Sequence, residues 1–286
     1  MTADRRFEAG QRLRDIAAGR LSACRAAKVS LHDVSVSFAP DRSAAVVSGL
    51  ELTILPGEFV TFLGPSGCGK TTLLNVIGGM ILPTTGKVRI NDALVTAPTP
   101  MCNIVFQQHS LFEWMRVADN VAFGPRALGH PDPRGEAMRF LHLVGLEEHA
   151  DAYPVTLSGG MRQRVAIARA LATSPSVLLM DEPFGALDAQ TRSIMQEELL
   201  KLRRSIAPTV IFVTHDVDEA LLLSDRIFVM RAMPGGLKEE IAADGMFRHK
   251  EKVLRNGKYR ALRQHILTQI REETLKVFNR PNRMQR

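Results

Sequence analysis

The sequence predicts an α/β fold in which a mostly parallel sheet carries a binding site at the carboxyl ends of its strands. Three short apolar runs, at residues 59–63, 177–180 and 209–214, have the composition of strands buried on both faces of such a sheet. Glycine or polar residues follow each run directly, at the edge where open α/β sheets bind ligands. With 286 residues, the chain is long enough to bury a sizeable core around the sheet.

Weaker patterns predict the elements around these three strands. We expect further strands at 29–38, 49–55, 87–91 and 226–231, and helices at 73–80, 136–144 and 259–278. Prolines interrupt residues 113–156, and we interpret this stretch as part of a helical subdomain, of about residues 108–170, inserted into the core. The predicted organisation is a basic extension over 1–28, one main domain over 29–245 and a basic helical tail over 246–286.

The net charge of +7 is concentrated at the two ends of the chain. Residues 1–28 hold seven Lys and Arg against three acidic residues, and residues 246–286 hold twelve against three. The segment between them is mildly acidic, so a basic nucleic-acid-binding face on the folded domain is not indicated. Two interpretations of the ends remain open, solvated tails or attraction to anionic lipid headgroups or an acidic partner surface; we favour the first.

Cysteine usage and hydropathy limit the location of the protein. Cys24, Cys68 and Cys102 have no CxxC spacing, so neither a disulfide framework nor a metal site is indicated, which suits a reducing cytosol. No apolar run approaches the length needed to cross a bilayer. The Arg-rich N-terminus lacks the apolar core of a signal peptide, and it is either an extra helix or the product of a start codon assigned too early. We expect a soluble or peripheral protein.

The most specific motif follows the first buried strand. Residues 64–71 fit G-x-x-x-x-G-K-[ST], between a predicted strand and a predicted helix, which is the context that the motif requires. Backbone N–H groups of such a loop surround a β-phosphate, Lys70 can reach the β- and γ-phosphates, and the Thr71 hydroxyl can bind Mg²⁺. The predicted ATP-binding residues of this segment are Gly64, Pro65, Ser66, Gly67, Cys68, Gly69, Lys70, Thr71 and Thr72.

Two acidic residues end the second buried strand. A phosphoryl-transfer site needs one carboxylate to hold Mg²⁺ and a second to polarise the attacking water. Asp181 suits the first role and Glu182 the second. Alone, such a pair would more often be a helix cap or solvated charge, but together with the phosphate loop it predicts a catalytic site.

The segment Leu157-Ser158-Gly159-Gly160 opens another predicted helix. Ser158 has the chemistry of an N-cap, and Gly159 and Gly160 leave backbone N–H groups uncovered. The simpler interpretation is an ordinary capped helix. The functional one is a second anion site, which a single ATP requires only if that site faces the nucleotide of another copy of the chain.

Two further residues lie at strand ends. His215 follows the third buried strand, where contact with a γ-phosphate is a better hypothesis than a purely structural role. Gln107 follows the short apolar run at 104–106 and could orient Mg²⁺ or water, although the local evidence for it is weak.

The order of these pieces resembles the nucleotide-binding subunits of ABC transporters over about residues 29–241. Residues 64–72 look like Walker A, Gln107 the Q-loop, residues 157–163 the signature sequence, residues 177–182 Walker B with the catalytic glutamate, residues 186–188 the D-loop and His215 the switch histidine. The resemblance implies a P-loop NTPase (RecA-like) core with an antiparallel β subdomain and an inserted α-helical subdomain. It also implies that Phe38 stacks on adenine, where Tyr is commoner, and that Asp188 contributes to the nucleotide site.

Within that family, residues 111–114 and 229–235 resemble the nitrate, sulfonate and taurine importers, with Glu113 where the family has Pro. The resemblance implies an ATPase that works as a head-to-tail homodimer on the cytoplasmic face of the bacterial inner membrane. Its expected partners are integral membrane permease subunits and a periplasmic or lipid-anchored solute-binding protein. The expected cofactors are ATP and Mg²⁺, and nucleic acid is not an expected partner.

Two other classes were weighed against this one. A repair or translation factor of the ABC type would carry a long coiled-coil insertion or two ATPase units, and this chain has neither. A regulatory module without turnover would not need Glu182. Finally, the helix-end N–H groups around Cys68 predict a lowered thiol pKa, so that alkylation of the thiolate would block ATP binding by its bulk.

Overall fold

A computed structural model of the chain describes residues 26–39, 45–185, 187–243 and 257–278. The strands, numbered in chain order, are β1 (Val29–Ser37), β2 (Ala45–Ile54), β3 (Phe59–Leu63), β4 (Thr85–Ile90), β5 (Ala93–Leu94), β6 (Cys102–Val105), β7 (Val177–Asp181), β8 (Thr209–Thr214), β9 (Arg226–Met230) and β10 (Leu237–Ala242). The α-helices are α1 (Lys70–Ile77), α2 (Val117–Ala127), α3 (Pro133–Leu143), α4 (Gly159–Leu171), α5 (Ala189–Ile206), α6 (Val217–Leu223) and α7 (Gly257–Phe278). Short 3₁₀ turns lie at Glu147–His149 and Pro154–Thr156.

The described strands form two sheets. The larger has the order β10-β9-β3-β8-β7-β6, in which β9, β3, β8, β7 and β6 run parallel and β10 joins as an antiparallel edge. The smaller, β2-β1-β4-β5, is antiparallel throughout. The predicted α/β class, with a parallel core and an antiparallel β portion, is confirmed.

The three apolar runs became the centre of the larger sheet because they have no polar face. Every residue of β3, β7 and β8 is buried. One face of the sheet packs on α1 and the smaller sheet, in a cluster that includes Val60, Phe62 and Leu73. The other face packs on α2, α3 and α4, in a cluster that includes Phe140, Met180 and Phe212. Helices therefore cover both faces, as burial of a parallel sheet requires.

The C-terminal helix α7 packs on the core. Tyr259 and Ile266 are buried in a third cluster, which also contains Val217 of α6 and Val229 of β9. The interpretation of the basic tail as a solvated segment is therefore wrong for residues 257–278. The rest of the predicted basic ends, at residues 1–25, 246–256 and 279–286, lies outside the described residues. The three-part domain organisation stays a prediction. In the described part of the chain, no helix has the length and apolar character that a membrane span needs.

Candidate active site

The predicted site residues gather at one edge of the larger sheet because of its parallel register. Leu63 at the end of β3 pairs with Thr214, and Val213 pairs with Asp181 at the end of β7. Val105, which ends β6, pairs with Met180. The residues that follow these strands therefore emerge side by side, as the carboxyl ends of parallel strands must.

The loop between β3 and α1 has the conformation of a phosphate cradle. Gly69, the N-cap of α1, has φ +93°, which a side chain would make costly, and its Cβ position lies only 2.8 Å from Val47 Cγ2. Ser66 and Gly67 are exposed at the loop apex, and nothing lies within 4 Å of the Cβ position of Gly67. The loop is thus open at its apex and closely backed behind, as a bound anion at a helix N-terminus requires.

Lys70 turns back into this loop. Its side chain is buried, and Nζ donates to the carbonyl oxygens of Gly64 at 2.8 Å and Pro65 at 3.0 Å. These contacts hold the ammonium group inside the cradle. Thr71 is exposed and Thr72 half-buried on the first turn of α1, at the side of the loop that the phosphates would face.

Asp181 and Thr71 provide a donor set that fits Mg²⁺. Burial is the largest effect on Asp181 and raises its pKa; the hydrogen bond with Thr71 lowers it, the charge of Glu182 raises it and that of Lys70 lowers it. No group of three or more His, Cys, Asp and Glu side chains in the described ranges could hold a metal alone. Mg²⁺ typically binds one or two carboxylates and completes its octahedron with water and substrate phosphates, so one carboxylate beside a hydroxyl is sufficient.

Glu182 and His215 face each other beside that pair. Glu182 Oε2 lies 3.1 Å from His215 Nδ1, and the backbone N–H of Glu182 donates to Val213 O at 2.9 Å. Glu182 adopts φ +44°, a left-handed conformation that is uncommon for a residue other than glycine. Such conformations persist where surrounding contacts impose them, often at functional sites. The geometry brings together Glu182 and His215, two of the three residues that the sequence predicts to be catalytic; Gln107 is the third.

Gln107 and Phe38 lie just beyond the ends of β6 and β1. Gln107 is exposed two residues beyond β6, and its neighbour Phe106 accepts a hydrogen bond at its carbonyl oxygen from Gln163 of α4, at 3.4 Å. Phe38 directly follows β1 and is 63 % exposed, so its ring is accessible for stacking. The roles of both residues stay predictions.

The predicted second anion site lies at the N-terminus of α4, which Ser158 caps. Ser158 caps α4, and its hydroxyl oxygen accepts from Met161 N at 3.3 Å. Gly159 is exposed with open space at its Cβ position, whereas the Cβ position of Gly160 lies 3.3 Å from Leu187 Cδ2. The start of α4 therefore lies beside residue 187 and offers uncovered N–H groups to solvent, which suits an anion brought by another molecule.

The side chain of Asp188 caps the following helix. It caps α5, where Oδ1 accepts from the N–H groups of Gln190 and Thr191, each at 3.0 Å, and Oδ2 accepts from the Thr191 hydroxyl at 2.6 Å. These bonds, that of the Thr191 hydroxyl above all, lower the pKa of Asp188. Its contribution to a nucleotide site stays a prediction. Ala186, named with it in the D-loop, lies outside the described residues.

The prediction of a thiolate at Cys68 is wrong in direction. Burial of the side chain raises the pKa of this thiol, and the charge of Lys70 and several hydrogen bonds only partly offset that effect. Helix-end N–H groups lower a thiol pKa only where the sulfur remains accessible to solvent, and Cys68 is about 1 % exposed. At neutral pH this thiol is protonated.

Sequence reasoning missed the buried residue Glu219. Its Oε2 accepts from the Thr214 hydroxyl at 2.7 Å and its Oε1 from Gln196 Nε2 at 3.3 Å. It thus joins the residue before His215 to helix α5. Burial, the largest effect, raises the pKa of Glu219. The spacing of Asp216 and Glu219 matches a capping box, which would have suggested a local helix cap and not a contact between elements.

Comparison with known proteins identifies ABC transporter proteins as relatives of this chain. The model of the family described as "ABC transporter" matches residues 47–185. An uncharacterized ABC transporter ATP-binding protein of Methanocaldococcus jannaschii is 48 % identical over 232 residues, which are 80 % of this chain and 86 % of that protein. A taurine import ATP-binding protein of Jannaschia sp. is 41 % identical over 260 residues, 88 % of this chain and 97 % of that one.

Solved structures share the fold. An ATP-binding cassette solved as a dimer in a post-hydrolysis state, with ADP and Pi bound, superimposes with a TM-score of 0.67. It is 32 % identical to this chain, and the match covers 75 % of this chain and 98 % of the other.

Proposed function

The chain belongs to the ABC transporter family of ATP-binding subunits, whose members hydrolyse ATP, and from this premise we propose that it is the motor subunit of an importer for a small solute. Taurine is the cargo named for one close relative. The proposed substrate class is nitrate, a sulfonate, taurine or a similar small anion or zwitterion. The observation that carries the catalytic part of the proposal is the pairing of Glu182 with His215 beside Asp181.

In the proposed reaction, the loop at residues 64–72 binds the phosphates of ATP and Phe38 stacks on adenine. The N–H groups at the start of α1 point toward the β-phosphate, and Lys70 leaves its carbonyl partners to bind the β- and γ-phosphates. Bound Mg²⁺, held by Thr71 and Asp181 with help from Gln107, would neutralise charge on the phosphates. Glu182 accepts the proton of the attacking water, and His215 fixes the orientation of that carboxylate.

The proposed assembly is a head-to-tail homodimer. The uncovered N–H groups at Ser158, Gly159 and Gly160 would bind the γ-phosphate of ATP held by the other copy. Capping by the Ser158 hydroxyl orders that helix start, and contact with Leu187 links it to the residues before α5. ATP would then close the dimer, and hydrolysis would reopen it.

The proposed setting is the cytoplasmic face of the inner membrane, in contact with permease subunits that work with a periplasmic or lipid-anchored solute-binding protein. This rests on the importer relatives. The predicted domain boundaries, 1–28, 29–245 and 246–286, belong to the same proposal.

Purification from native membranes in mild detergent tests the transport role. Tagged protein should recover a multi-span permease, and the Glu182→Gln variant should recover it equally well because the change leaves the surface intact. A matched variant, Ser158→Arg, should recover the permease but fail to form an ATP-dependent dimer. Recovery of ribosomes or nucleic acid in place of a permease would contradict the transport role.

A further inference from the structure

Glu273 is a buried carboxylate on α7, fourteen residues from Tyr259 at the other end of the same helix. It is 1 % exposed, yet it lies in a helix whose neighbouring residues Glu272 and Thr274 are more accessible. Its Oε2 accepts the backbone N–H of Ala232 at 2.8 Å, and its Oε1 lies 3.1 Å from Lys238 Nζ and 2.5 Å from Lys276 Nζ. Three positive or donor groups thus converge on one acid.

The hydrogen-bonded residue Ala232 belongs to the turn between β9 and β10, residues 231–236, which we call the backing turn. The turn closes through a hydrogen bond from Arg231 N to Gly236 O at 2.8 Å. Its other face binds β2, since Gly235 N donates to Val46 O and Ser48 N donates to Gly235 O, each at 2.8 Å. Glu273 therefore holds one side of the turn, and β2 holds the opposite side.

The backing turn lies directly against the phosphate loop. A Cβ atom on Gly235 would come within 2.1 Å of Cys68 O, so the two backbones touch with no room for a side chain. Met230, the last residue of β9 before the turn, has its Cβ 3.0 Å from the Cβ position of Gly64. The start of β2 also lies against the phosphate loop, since Val47 Cγ2 is 2.8 Å from the Cβ position of Gly69. Gly64, Cys68 and Gly69 of the phosphate loop therefore lie against β9, the backing turn and β2, in that order.

We propose that Glu273 is a positioning residue for nucleotide binding, which sets the phosphate loop by fixing the backing turn through the N–H of Ala232. The inference rests on the proposed ATP site at residues 64–72 and extends it to a residue of the C-terminal helix. Close backbone packing transmits a displacement, because no flexible side chain lies between the turn and the loop to absorb it. A misplacement of about 1 Å in a group that positions a substrate can cost about 10²-fold in rate. The contacts that bind the phosphates depend on the same geometry.

The alternative is that Glu273 only anchors α7 to the core. This alternative makes a different prediction. Any other substitution that weakens the packing of α7 to the same degree would then weaken ATP binding as much as a substitution of Glu273. Ile266 provides the matched comparison. It is fully buried on the same helix, two turns from Glu273, and it packs in the cluster formed with α6 and β9.

The test measures binding of a fluorescent ATP analogue and thermal unfolding for full-length variants. We expect Glu273→Ala to weaken ATP binding by about tenfold, while Ile266→Ala lowers the melting temperature but leaves ATP binding within about twofold of the parent. Glu273→Gln keeps an acceptor for Ala232 N–H and should bind ATP nearly as well as the parent. Glu273→Asp keeps the charge near both lysines but is too short to reach Ala232, so it should bind weakly, and it decides the question if the alanine variant fails to fold.

The outcomes separate the two proposals. Wild-type ATP binding by Glu273→Asp, or equal weakening by Ile266→Ala, would overturn the positioning role while leaving the ATP site intact. Weak binding by Glu273→Gln would also overturn it, because charge and not the Ala232 contact would then be responsible. Lys70→Ala serves as the control on the site itself; if that variant bound ATP normally, the proposed site would fail and not the role of Glu273.

Discussion

The carboxylate of Glu182 lies 3.1 Å from Nδ1 of His215, across the ends of two neighbouring parallel strands. The contact joins Glu182, whose side chain is mostly buried and whose backbone is left-handed, to the largely exposed side chain of His215, which core packing does not hold. Each orients the other. The chemistry of the site therefore depends on the backbone that presents them.

Replacing His215 with Ala should lower kcat for ATP hydrolysis by about 10²-fold or more, because Glu182 loses the partner that orients it. The KM for ATP should change little, since the phosphate loop is untouched. Steady-state phosphate release measures both constants. His265→Ala is the control, since His265 lies on α7 and contacts Glu239 outside the site. A His215→Ala enzyme with normal kcat would remove His215 from catalysis.

Glu219→Gln should also slow ATP hydrolysis, because Glu219 binds the residue that precedes His215. The amide cannot accept from both the Thr214 hydroxyl and Gln196 as the carboxylate does. We expect a loss of about 1–3 kcal/mol in the free energy of unfolding, and a fall of about tenfold in kcat because Thr214 directly precedes His215. Denaturant unfolding and phosphate release measure the two effects. Exposed Glu197 on α5 supplies the control Glu197→Gln, which should change neither quantity.

The stability supplied by Glu273 should depend on pH. Burial by itself would raise its pKa, but the hydrogen bonds from Lys276, Ala232 N–H and Lys238 outweigh burial and lower the pKa from 4.5 to about 2. Because the folded-state pKa lies below the unfolded value, the stabilisation is complete above about pH 4.5 and is lost as the pH falls toward 2.

Urea unfolding of the parent and of Glu273→Gln checks this dependence. The difference in unfolding free energy should be about 2 kcal/mol and constant from neutral pH down to about pH 5, then shrink below pH 4.5. A difference that grew on acidification would contradict the assigned ionisation.

Cys68 should react slowly with alkylating reagents at neutral pH. Burial raises its pKa above the usual 9.0, so the thiolate fraction is small at pH 7 and rises only as the pH passes 9. Once modified, the loop should no longer accept phosphates because of the added bulk. The rate of inactivation by iodoacetamide should climb steeply between pH 7 and 9.5, and bound ATP should slow it.

The variant Cys68→Ser keeps both other cysteines and serves as the control for this effect. Cys102 should contribute little, because burial raises its pKa to about 12. Inhibition of Cys68→Ser to the same degree as the parent would show that Cys68 is not the reactive site.

The part of the site that the sequence predicted has a local basis. A fully buried and almost entirely apolar strand, a glycine-rich loop and a helix lie within nineteen residues, from β3 to the end of α1, so their geometry follows from short-range preferences. The sequence also predicts that Asp181, Glu182 and His215 lie at one edge of the sheet, because parallel strands bring their carboxyl ends together there, and the strand register agrees. Their roles stay predictions. Strand ends shifted by only a few residues, as in β2, which starts at Ala45 and not at residue 49.

What the sequence did not predict depends on contacts between distant segments. The interpretation of the tail as solvated followed from the net positive charge of residues 246–286, although Tyr259, Leu262, Ile266 and Ile270 form an apolar stripe at helical spacing. Glu273 lies on the same face of the helix, but a charged residue at that position does not predict burial. Its burial depends on the contact with Ala232 of the backing turn, which is distant in sequence. The raised pKa of Cys68 likewise comes from the surroundings of the loop and not from the loop itself.

Single-turnover hydrolysis of radiolabelled ATP by the parent and by Glu182→Gln measures whether this chain hydrolyses ATP with Glu182 as the base. If Glu182 is the base, the variant should bind ATP with unchanged affinity, accumulate as an ATP-bound dimer and release phosphate at least about 10²-fold more slowly than the parent. Hydrolysis by Glu182→Gln at a rate close to that of the parent would show that Glu182 is not the base.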